Sequence, residues 1–345
     1  MSCLETLGWN AHWNGLFAPF ASTMIPGRVR VAHRDQFLVF TADGEQDAVP
    51  SGKLRLGGEW PVTGDWVALS ERRIEAVLPR RTAFVRRDPG QAMRPQVIAS
   101  NADVAFLVMG LDHDYNQRRL ERYLYLTTVS GARPVIVLNK TDICLDPEER
   151  WRICERLAPV VALSALTGTG LGGLLQHVEA GETAVLLGSS GAGKSTIANR
   201  LRGFDALRTQ PVREHDSRGR HTTTHRELMP LDLGWSLMDI PGLRELSLWS
   251  APDALDNTFD DVAGLAAQCR FRDCGHRLEP GCAIRQALED GRLDGGRWNN
   301  YQKLQREIAH LEREVDPAAQ AQQKQRWKAI HKEQRRSYRE RDKSS

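Results

Sequence analysis

Between residues 24 and 85 the chain alternates apolar and polar positions in short bursts that are separated by turn residues. Four bursts predict β-strands, at residues 27–31, 37–40, 65–69 and 73–78. The pairs that favour turns are Asp43-Gly44, Gly57-Gly58 and Gly64-Asp65. Short strands at this spacing are typical of a small barrel or sandwich, and the length fits a five-stranded OB-type β-barrel.

The middle of the chain carries a different pattern, in which apolar strands of the buried type alternate with segments of helical period. Strands are predicted at residues 104–109, 134–138, 160–163, 183–187 and 235–238. Helices are predicted at residues 115–130, 147–157 and 195–201. This alternation predicts a parallel α/β sheet.

Two further changes of pattern divide the chain. Residues 86–102 predict a linker, because turn residues replace periodic apolar positions. After about residue 250 the strand pattern stops, and residues 298–311 have helical spacing. We therefore expect a multidomain α/β protein: an N-terminal extension over 1–23, a barrel over 24–88, a linker over 89–102, an α/β domain over 103–250 and a helical domain over 251–345.

Bulk composition adds little to this picture. No apolar run is long enough to cross a bilayer, and residues 1–10 lack the charged-then-apolar pattern of a signal peptide. We therefore expect a cytoplasmic protein without a membrane partner, and we take it to be a monomer. The net charge of +3 is modest, but the last stretch of the chain is strongly basic.

A phosphate-binding loop is predicted between a strand and a helix, which is the context that this motif requires. Its residues are Gly188, Ser189, Ser190, Gly191, Ala192, Gly193, Lys194 and Ser195, and Thr196 follows them. The glycines let backbone N–H groups converge on phosphate oxygens, while Lys194 places a positive charge between the β- and γ-phosphates during catalysis. The Ser195 hydroxyl can ligate magnesium. A plain glycine-rich turn before a helix is the alternative.

A guanine-recognition signature follows the strand predicted at 134–138. Its residues are Asn139, Lys140, Thr141 and Asp142. The Asp142 carboxylate can accept hydrogen bonds from N1–H and the 2-amino group of guanine, and adenine offers neither donor there, so ATP is rejected. Lys140 can cover the base plane, and Asn139 can brace the phosphate loop. Ser164 and Ala165 resemble the GTPase loop whose backbone contacts guanine O6.

Two further segments complete the predicted site. Residues 239–242 resemble the GTPase segment in which the aspartate, here Asp239, holds magnesium through water and the Gly242 N–H meets the γ-phosphate. Either Thr222 or Thr223 is expected to complete the magnesium shell in the GTP state. A plain strand edge is the alternative explanation for this threonine run.

The order of these motifs is permuted. In Ras-like GTPases the phosphate loop comes first and the guanine signature last, whereas here residues 139–142 and 164–166 precede residues 188–195. The chain is therefore similar to circularly permuted GTPases, an arrangement that is tolerated because the termini of a domain often lie close together. The switch segment after Asp239 then leads directly into the C-terminal domain, so a γ-phosphate that orders it can reposition that domain.

Leu243 stands where Ras-like enzymes carry the glutamine that orients the attacking water. A leucine cannot orient water, so intrinsic hydrolysis is expected to be slow unless another residue takes this role. His221 is the candidate catalytic residue. A solvated loop histidine without a role in catalysis is the alternative.

A compact cysteine–histidine cluster lies in the C-terminal domain. Its members are Cys269, Cys274, His276 and Cys282. Three thiolates and one imidazole make a closed tetrahedral set for one structural zinc ion, which leaves no open position for catalysis. The surrounding segment has few apolar residues, so the metal would supply folding energy. Unrelated buried cysteines are the alternative.

The tail carries nine Lys or Arg residues against three acidic ones between residues 324 and 343. A basic segment of this kind neutralises phosphates, and Trp327 and Tyr338 can stack on bases. The tail is therefore expected to bind RNA, with a solvated terminal helix as the alternative.

A small barrel, a permuted GTPase domain and a Cys₃His module in this order resemble the bacterial family of GTPases that depend on the small ribosomal subunit. The resemblance covers nearly the whole chain, apart from the first twenty residues and the far tail. It implies an RNA-binding OB fold over 24–88, a GTPase domain over 103–250 and a zinc-binding domain over 251–345. It also implies GTP with magnesium, the small subunit and its rRNA as partners, stimulation of hydrolysis by the subunit, and a role in late subunit maturation.

Two other functions stay open at this point. The chain can be a non-catalytic RNA-binding or chaperone module in which GTP is a structural ligand, a reading that Leu243 keeps open. It can also be a GTPase that acts on another partner, such as membrane transport machinery, although the basic tail counts against that reading.

Overall fold

The computed structural model describes residues 3–57, 60–87, 95–203, 226–239 and 252–315. These residues form two compact units, one made of the described residues up to 239 and the other of residues 252–315. In neither unit does a described helix combine the length and the apolar composition needed to cross a membrane.

Five strands in the first unit close into a barrel: β1 (Ile25–Ala32), β2 (Phe37–Thr41), β3 (Gly44–Pro50), β4 (Trp66–Ser70) and β5 (Arg73–Val77). They pair in the order β1-β2-β3-β5-β4, and β4 pairs again with β1, which closes the ring. Val29, Val39 and Ile74 are fully buried in its core. The predicted five-stranded barrel is confirmed. Strand β3 escaped prediction because Glu45, Gln46 and Asp47 interrupt its apolar pattern, and a short helix follows it at Gly52–Gly57.

The residues that precede the barrel form two short helices, Cys3–Thr6 and Ala11–Phe17, and a 3₁₀ turn at Ala18–Phe20. The indole rings of Trp9 and Trp13 lie 4.9 and 5.8 Å from that of Trp66 in β4, measured between ring centroids. The segment predicted as an N-terminal extension therefore packs on the barrel through aromatic contacts.

A second pairing lies between the barrel and the α/β sheet. Strands β6 (Ala83–Arg87) and β7 (Pro95–Ser100) form an antiparallel pair of their own. β7 lies inside the segment 89–102 for which turn residues predict a linker, so the structure differs from that expectation. The difference arises because Ile98 and Ala99 are buried and their backbone pairs with β6.

Six strands build the α/β sheet: β8 (Val104–Gly110), β9 (Arg133–Asn139), β10 (Val160–Ala162), β11 (Thr183–Gly188), β12 (Glu227–Pro230) and β13 (Ser236–Asp239). Their order is β10-β9-β8-β11-β13-β12, and every neighbouring pair is parallel except β12 with β13. The predicted parallel α/β sheet is confirmed, with β12 as an added antiparallel strand next to β13. All seven residues of β8 are buried.

The helices that connect these strands are Gln117–Ser130, Pro147–Cys154 and Lys194–Leu201, and a 3₁₀ helix covers Leu171–His177. The first of them begins two residues later than its periodicity predicts. Asn116 has an extended backbone there, and its side chain accepts a hydrogen bond from the Arg119 amide, which caps the helix.

Arg28 of β1 joins the barrel to the sheet. Its buried guanidinium donates to the carbonyl oxygens of Leu7 and Asn101 and, at 2.8 Å, to the Thr183 hydroxyl at the start of β11. Burial lowers the pKa of this guanidinium to about 10. Strand β1 also pairs with β12, so one continuous sheet runs from the barrel into the α/β domain.

The second unit is helical in its described residues, with helices at Pro252–Thr258, Asp260–Ala266, Ala283–Glu289 and Gly295–Val315. The helical spacing over 298–311 lies within the last of these. Arg297 pairs with Asp261 at an Nε–Oδ2 distance of 2.7 Å, and its guanidinium lies 4.6 Å from the centroid of the Phe259 ring. These contacts connect the second and fourth helices of the unit.

Candidate nucleotide site and metal centre

The segments predicted to bind nucleotide meet at one edge of the parallel sheet. The phosphate loop follows β11, the guanine signature follows β9, the Ser164-Ala165 pair follows β10, and Asp239 ends β13. These strands belong to one neighbouring set, so the topology collects segments that are far apart in the sequence. Ligands of open α/β sheets bind at this carboxyl edge.

Two glycines of the phosphate loop are required by close contacts. A Cβ atom at Gly188 would lie 2.4 Å from the Val108 carbonyl oxygen of the neighbouring strand. Gly193 has a φ of +99°, and a Cβ atom there would lie 2.1 Å from Asn139 Nδ2. The loop therefore approaches both the sheet and the guanine signature more closely than a residue with a side chain allows.

Lys194 begins the helix Lys194–Leu201 and its ammonium lies over the loop. Its Nζ donates to the carbonyl oxygens of Gly188 at 2.9 Å and Ser189 at 2.7 Å. Ala192 is fully buried. The other members of the motif are half-buried at the mouth of the loop: Ser190, Gly191, Gly193, Ser195 and Thr196. A lysine and a helix start in this position are the donors that phosphate oxygens require.

Asn139 connects three of the predicted segments. Its side chain is 2% exposed. Its Nδ2 donates to the Ala192 carbonyl oxygen at 2.8 Å, and its Oδ1 accepts from the Ala165 amide at 2.9 Å. One buried side chain thus ties the guanine signature to the phosphate loop and to the Ser164-Ala165 pair.

The rest of the guanine signature forms a turn at the sheet edge. Lys140 has a φ of +70°. The Thr141 amide donates to the Leu163 carbonyl oxygen at 3.3 Å, which holds the turn against the end of β10. The Asp142 side chain is exposed, so its carboxylate is open to a ligand.

The Ser164-Ala165 pair lies in a tight turn. The Ser164 amide donates to the Thr169 carbonyl oxygen at 2.9 Å, and the Gly168 amide donates to the Ser164 carbonyl oxygen at 2.8 Å. Arg200 donates to the carbonyl oxygens of Ala165 and Leu166 at 3.2 and 2.6 Å. The helix that follows the phosphate loop therefore also fixes this turn.

The structure places part of the predicted magnesium set. Asp239 is 8% exposed at the end of β13, and Ser195 lies in the first turn of the helix after the phosphate loop. The other predicted residues of the magnesium shell, the γ-phosphate contact and catalysis lie outside the described residues: Thr222, Thr223, Gly242 and His221.

Three residues at this edge contact the predicted site although they belong to none of its sequence motifs. Asp112 and Asp114, in the loop after β8, contact Lys140 and Ser189, and Arg200 contacts the Ser164-Ala165 turn. The available signal was positional, because Asp112 and Asp114 follow the carboxyl end of a buried strand in a parallel sheet.

The four members of the predicted zinc set come together in the second unit. The side-chain donor atoms of Cys269, Cys274, His276 and Cys282 all lie within 4.8 Å of one another. His276 Nδ1 lies 3.6 Å from Cys269 Sγ and 3.5 Å from Cys282 Sγ. These residues can hold one metal ion.

The donor set fits zinc. Tetrahedral bonds of about 2.3 Å to sulfur and about 2.05 Å to nitrogen place sulfur and nitrogen roughly 3.6 Å apart. The two measured nitrogen–sulfur distances match this separation. Three thiolates and one imidazole are also a donor set that zinc prefers and that calcium and magnesium do not.

Glu279 holds the loop between these residues. Its carboxylate accepts from the amides of Gly275, Arg277 and Leu278 at 2.9, 2.7 and 3.0 Å. Hydrogen bonds from its own amide and from the loop amides lower the pKa of the Glu279 carboxyl to about 2. The loop is thus shaped by an ionised side chain. The basic tail, 324–343, lies outside the described residues.

Comparison with known proteins agrees with this geometry. The model of the RsgA GTPase family matches residues 77–249. A protein of Opitutus terrae described as small ribosomal subunit biogenesis GTPase RsgA is 47% identical, covering 96% of this chain and 97% of the relative. A protein of Syntrophotalea carbinolica with the same description is 45% identical, covering 98% of each chain.

Two solved structures are similar to this chain. The crystal structure of YjeQ from Thermotoga maritima is 26% identical with a TM-score of 0.62, covering 83% of this chain and 99% of the other. The structure of YloQ, described as a circularly permuted GTPase, is 23% identical with a TM-score of 0.58, covering 83% of this chain and 96% of the other. The second likeness concerns the fold alone.

Proposed function

This chain belongs to the RsgA GTPase family, and from that premise we propose that it hydrolyses GTP in the late maturation of the small ribosomal subunit. It is a GTP hydrolase by family. The relatives named for small ribosomal subunit biogenesis match nearly the whole length of this chain, which supports the same role here. In the structure, the buried Asn139 side chain carries the nucleotide part of the proposal, because it assembles three separate segments into one site.

We assign the nucleotide contacts by position. Asp142 would accept from guanine, Lys140 would cover the base, and the phosphate loop with Lys194 would bind the β- and γ-phosphates. Ser195, Asp239 and either Thr222 or Thr223 would hold magnesium. Magnesium, when bound, would neutralise negative charge on the phosphate groups.

The proposed reaction is attack of water on the γ-phosphate, which breaks the bond between the γ-phosphorus and the bridging oxygen to the β-phosphate and releases GDP and phosphate. Lys194 and the Gly242 N–H would stabilise the charge that develops on the phosphate oxygens. Leu243 replaces the residue that orients water in Ras-like enzymes, so basal hydrolysis is expected to be slow and to rise on binding the subunit. His221 is the proposed catalytic residue. If His221→Ala leaves single-turnover hydrolysis with subunits unchanged, that role is wrong.

The remaining parts would serve binding. We propose that the barrel and the basic tail contact rRNA, that one zinc ion shapes the Cys₃His loop, and that the protein acts as a monomer in the cytoplasm, where subunits mature. GTP would favour the bound state and hydrolysis would permit release. The rival, a non-catalytic module with GTP as a structural ligand, has no specific support in the described residues.

The decisive experiment measures GTP turnover with and without purified small subunits. Stimulation is expected, and its absence would favour the non-catalytic rival. Co-sedimentation with subunits in a GTP analogue, across a salt series, tests the partner. Binding that falls steeply with salt is expected for contacts to phosphates. Failure to co-sediment at low salt would exclude the subunit as the partner.

Asp142→Asn tests base recognition separately. The asparagine amide would face the donors of guanine, so GTP affinity should fall by about 100-fold. Xanthosine triphosphate has a carbonyl in place of the 2-amino group, so its binding should improve. Asp146→Asn is the matched control, because Asp146 caps a helix nearby and asparagine caps equally well. Equal nucleotide preference in both variants would contradict the assignment.

A further inference from the structure

The loop between β8 and the helix Gln117–Ser130 lies against both halves of the nucleotide site. At its start, the Leu111 amide donates to the Asn139 carbonyl oxygen at 2.8 Å, and Arg150 donates to the Leu111 carbonyl oxygen at 3.0 Å. At its end, Asn116 caps the helix. The loop is therefore fixed at both ends, and the two aspartates between them are held in place.

Asp112 anchors the lysine of the guanine signature. Lys140 Nζ lies 2.6 Å from Asp112 Oδ2, and the second carboxylate oxygen accepts from the Asp114 amide at 3.1 Å. Burial opposes ionisation of Asp112, but the hydrogen bonds from Lys140 and the Asp114 amide outweigh it and lower the pKa of the carboxyl. Asp112 is therefore a fixed anion beside the Lys140 ammonium.

Gly110 makes room for this pair. A Cβ atom at Gly110 would lie 2.7 Å from Asp112 Oδ1 and 3.4 Å from Lys140 Cε. A side chain at residue 110 would therefore displace the Asp112 carboxylate from its present position.

Asp114 anchors the phosphate loop. The Ser189 hydroxyl, which is 4% exposed, donates to Asp114 Oδ2. Arg119 Nη2 donates to the other carboxylate oxygen at 2.8 Å, so the carboxylate is held by a charge-assisted hydrogen bond from behind. Ser189 is the second residue of the phosphate loop, at the point where the chain leaves β11.

Lys140 and Ser189 are far apart in the sequence, yet their anchors are two residues apart on one loop. A carboxylate that fixes an ammonium removes rotamer freedom that ligand binding would otherwise have to remove. We propose that Asp112 and Asp114 are positioning residues of the nucleotide site, Asp112 acting through Lys140 and Asp114 through Ser189. One loop thereby carries the anchor of the guanine-binding segment and the anchor of the phosphate loop. This rests on the proposed nucleotide contacts of Lys140 and the phosphate loop.

The test uses the full chain and fluorescent GTP and GDP analogues. Asp112→Asn and Asp114→Asn should each raise the Kd for both nucleotides by about 10-fold. GTP and GDP are affected alike because the anchored segments would contact groups that both nucleotides share. Asp112→Glu, which keeps the charge, should bind within about 3-fold of the wild type. Asp232→Asn, on the exposed turn between β12 and β13, is the matched control and should change nothing.

Double-variant cycles separate positioning from a general loss of structure. In a Lys140→Ala background, Asp112→Asn should add less than about 2-fold, whereas in a Ser189→Ala background it should keep its full effect. Asp114→Asn should show the reverse. Each aspartate substitution should lower the unfolding midpoint, measured without nucleotide, by the same amount in the Lys140→Ala and Ser189→Ala backgrounds. A general loss of stability would therefore not produce the crossed pattern in nucleotide affinity.

Three outcomes overturn one claim or the other. Wild-type affinity in both aspartate variants would overturn the inference and leave the nucleotide site intact. A full penalty for Asp112→Asn in the Lys140→Ala background would show that Asp112 does not act through Lys140. A wild-type chain that binds no guanine nucleotide would overturn the proposed function itself, and the inference with it.

Discussion

Two regions of the chain are built from irregular backbone: the loops at the carboxyl edge of the α/β sheet, here the nucleotide edge, and the loop from Cys269 to Cys282, here the Cys₃His loop. They are held in shape by different means. At the nucleotide edge, each loop leaves a strand of the α/β sheet, and Asn139 joins three of the loops by buried hydrogen bonds. Between Cys269 and Cys282, by contrast, no residue is buried. The first site rests on a hydrophobic core, whereas the second has only its own polar side chains and the metal bonds that its cysteines and histidine could form.

The two sites should therefore respond differently to substitution. A site that rests on a packed sheet loses function when backbone contact or a buried hydrogen bond is disturbed, while the sheet itself survives. A site without a core loses its shape when its ligand bonds are removed.

Removal of the metal should have the largest effect. Structural zinc contributes roughly 10–16 kcal/mol in small zinc modules, so chelation or Cys282→Ser should abolish bound zinc and the hydrogen-exchange protection of residues 269–289. GTP affinity should change by less than about 2-fold, because the nucleotide edge has its own core. Metal content, hydrogen exchange and GTP binding measure these effects. Cys144→Ser, outside the cluster, should retain the metal. Full protection without metal would break the comparison.

Gly193→Ala should damage the nucleotide edge without unfolding the sheet. The new methyl group would meet Asn139 Nδ2, so we expect a loss of about 3 kcal/mol in GTP binding, roughly 100-fold. Titration with a fluorescent GTP analogue measures it. Gly203→Ala is the control: its φ is +69° and nothing lies within 4 Å of the added atom. Equal binding losses in the two variants would mean that backbone strain, and not the contact with Asn139, is responsible.

Asn139→Ala should have a smaller effect on the same edge. It removes two buried hydrogen bonds and leaves the Ala165 amide without its acceptor, at a cost of about 2 kcal/mol in stability and a clear loss of GTP affinity. Thermal unfolding and nucleotide binding should both report the change. Asn10→Ala, which removes a helix cap in the N-terminal segment, should cost about 1 kcal/mol and leave GTP affinity unchanged.

Glu279→Gln should have the smallest effect. It tests whether the Glu279 carboxylate helps to shape the Cys₃His loop. Glutamine keeps one acceptor oxygen but loses the charge that attracts three loop amides, so zinc affinity should fall by about 10-fold while the site survives. Competition with a chelating dye measures this affinity. Glu289→Gln, an exposed glutamate on the following helix, serves as the control. No difference between the two variants would assign the shape of the loop to the metal alone.

Local patterns in the sequence predicted a large part of the fold. The alternation in residues 24–85 predicted the barrel, and the strand–helix alternation predicted the parallel sheet. Both predictions were possible because the spacing of apolar residues indicates whether one face or both faces of an element are buried. β3 and β12 escaped this reasoning. β3 has three polar residues in a row and β12 has only four residues, so pairing partners, rather than an apolar pattern, decide their conformation.

The candidate sites divide in the same way. Three sets of residues could be recognised in the sequence: the phosphate loop, the guanine signature and the Cys₃His set. Their predicted chemistry needs certain residue types at fixed spacing. The roles of Asp112, Asp114 and Glu279 could not be predicted, because the role of an aspartate or glutamate in a loop depends on its neighbours in space.

Sequence patterns were enough to predict the kinds of element, the permuted order of the nucleotide motifs and the Cys₃His set, since each depends on residues close together along the chain. The tertiary structure alone decided which loops share an edge, how Asn139 joins three of them, and which carboxylates anchor Lys140 and Ser189. The physical reason is that strand order in a sheet, set by the packing of the whole core, brings distant residues within hydrogen-bonding distance.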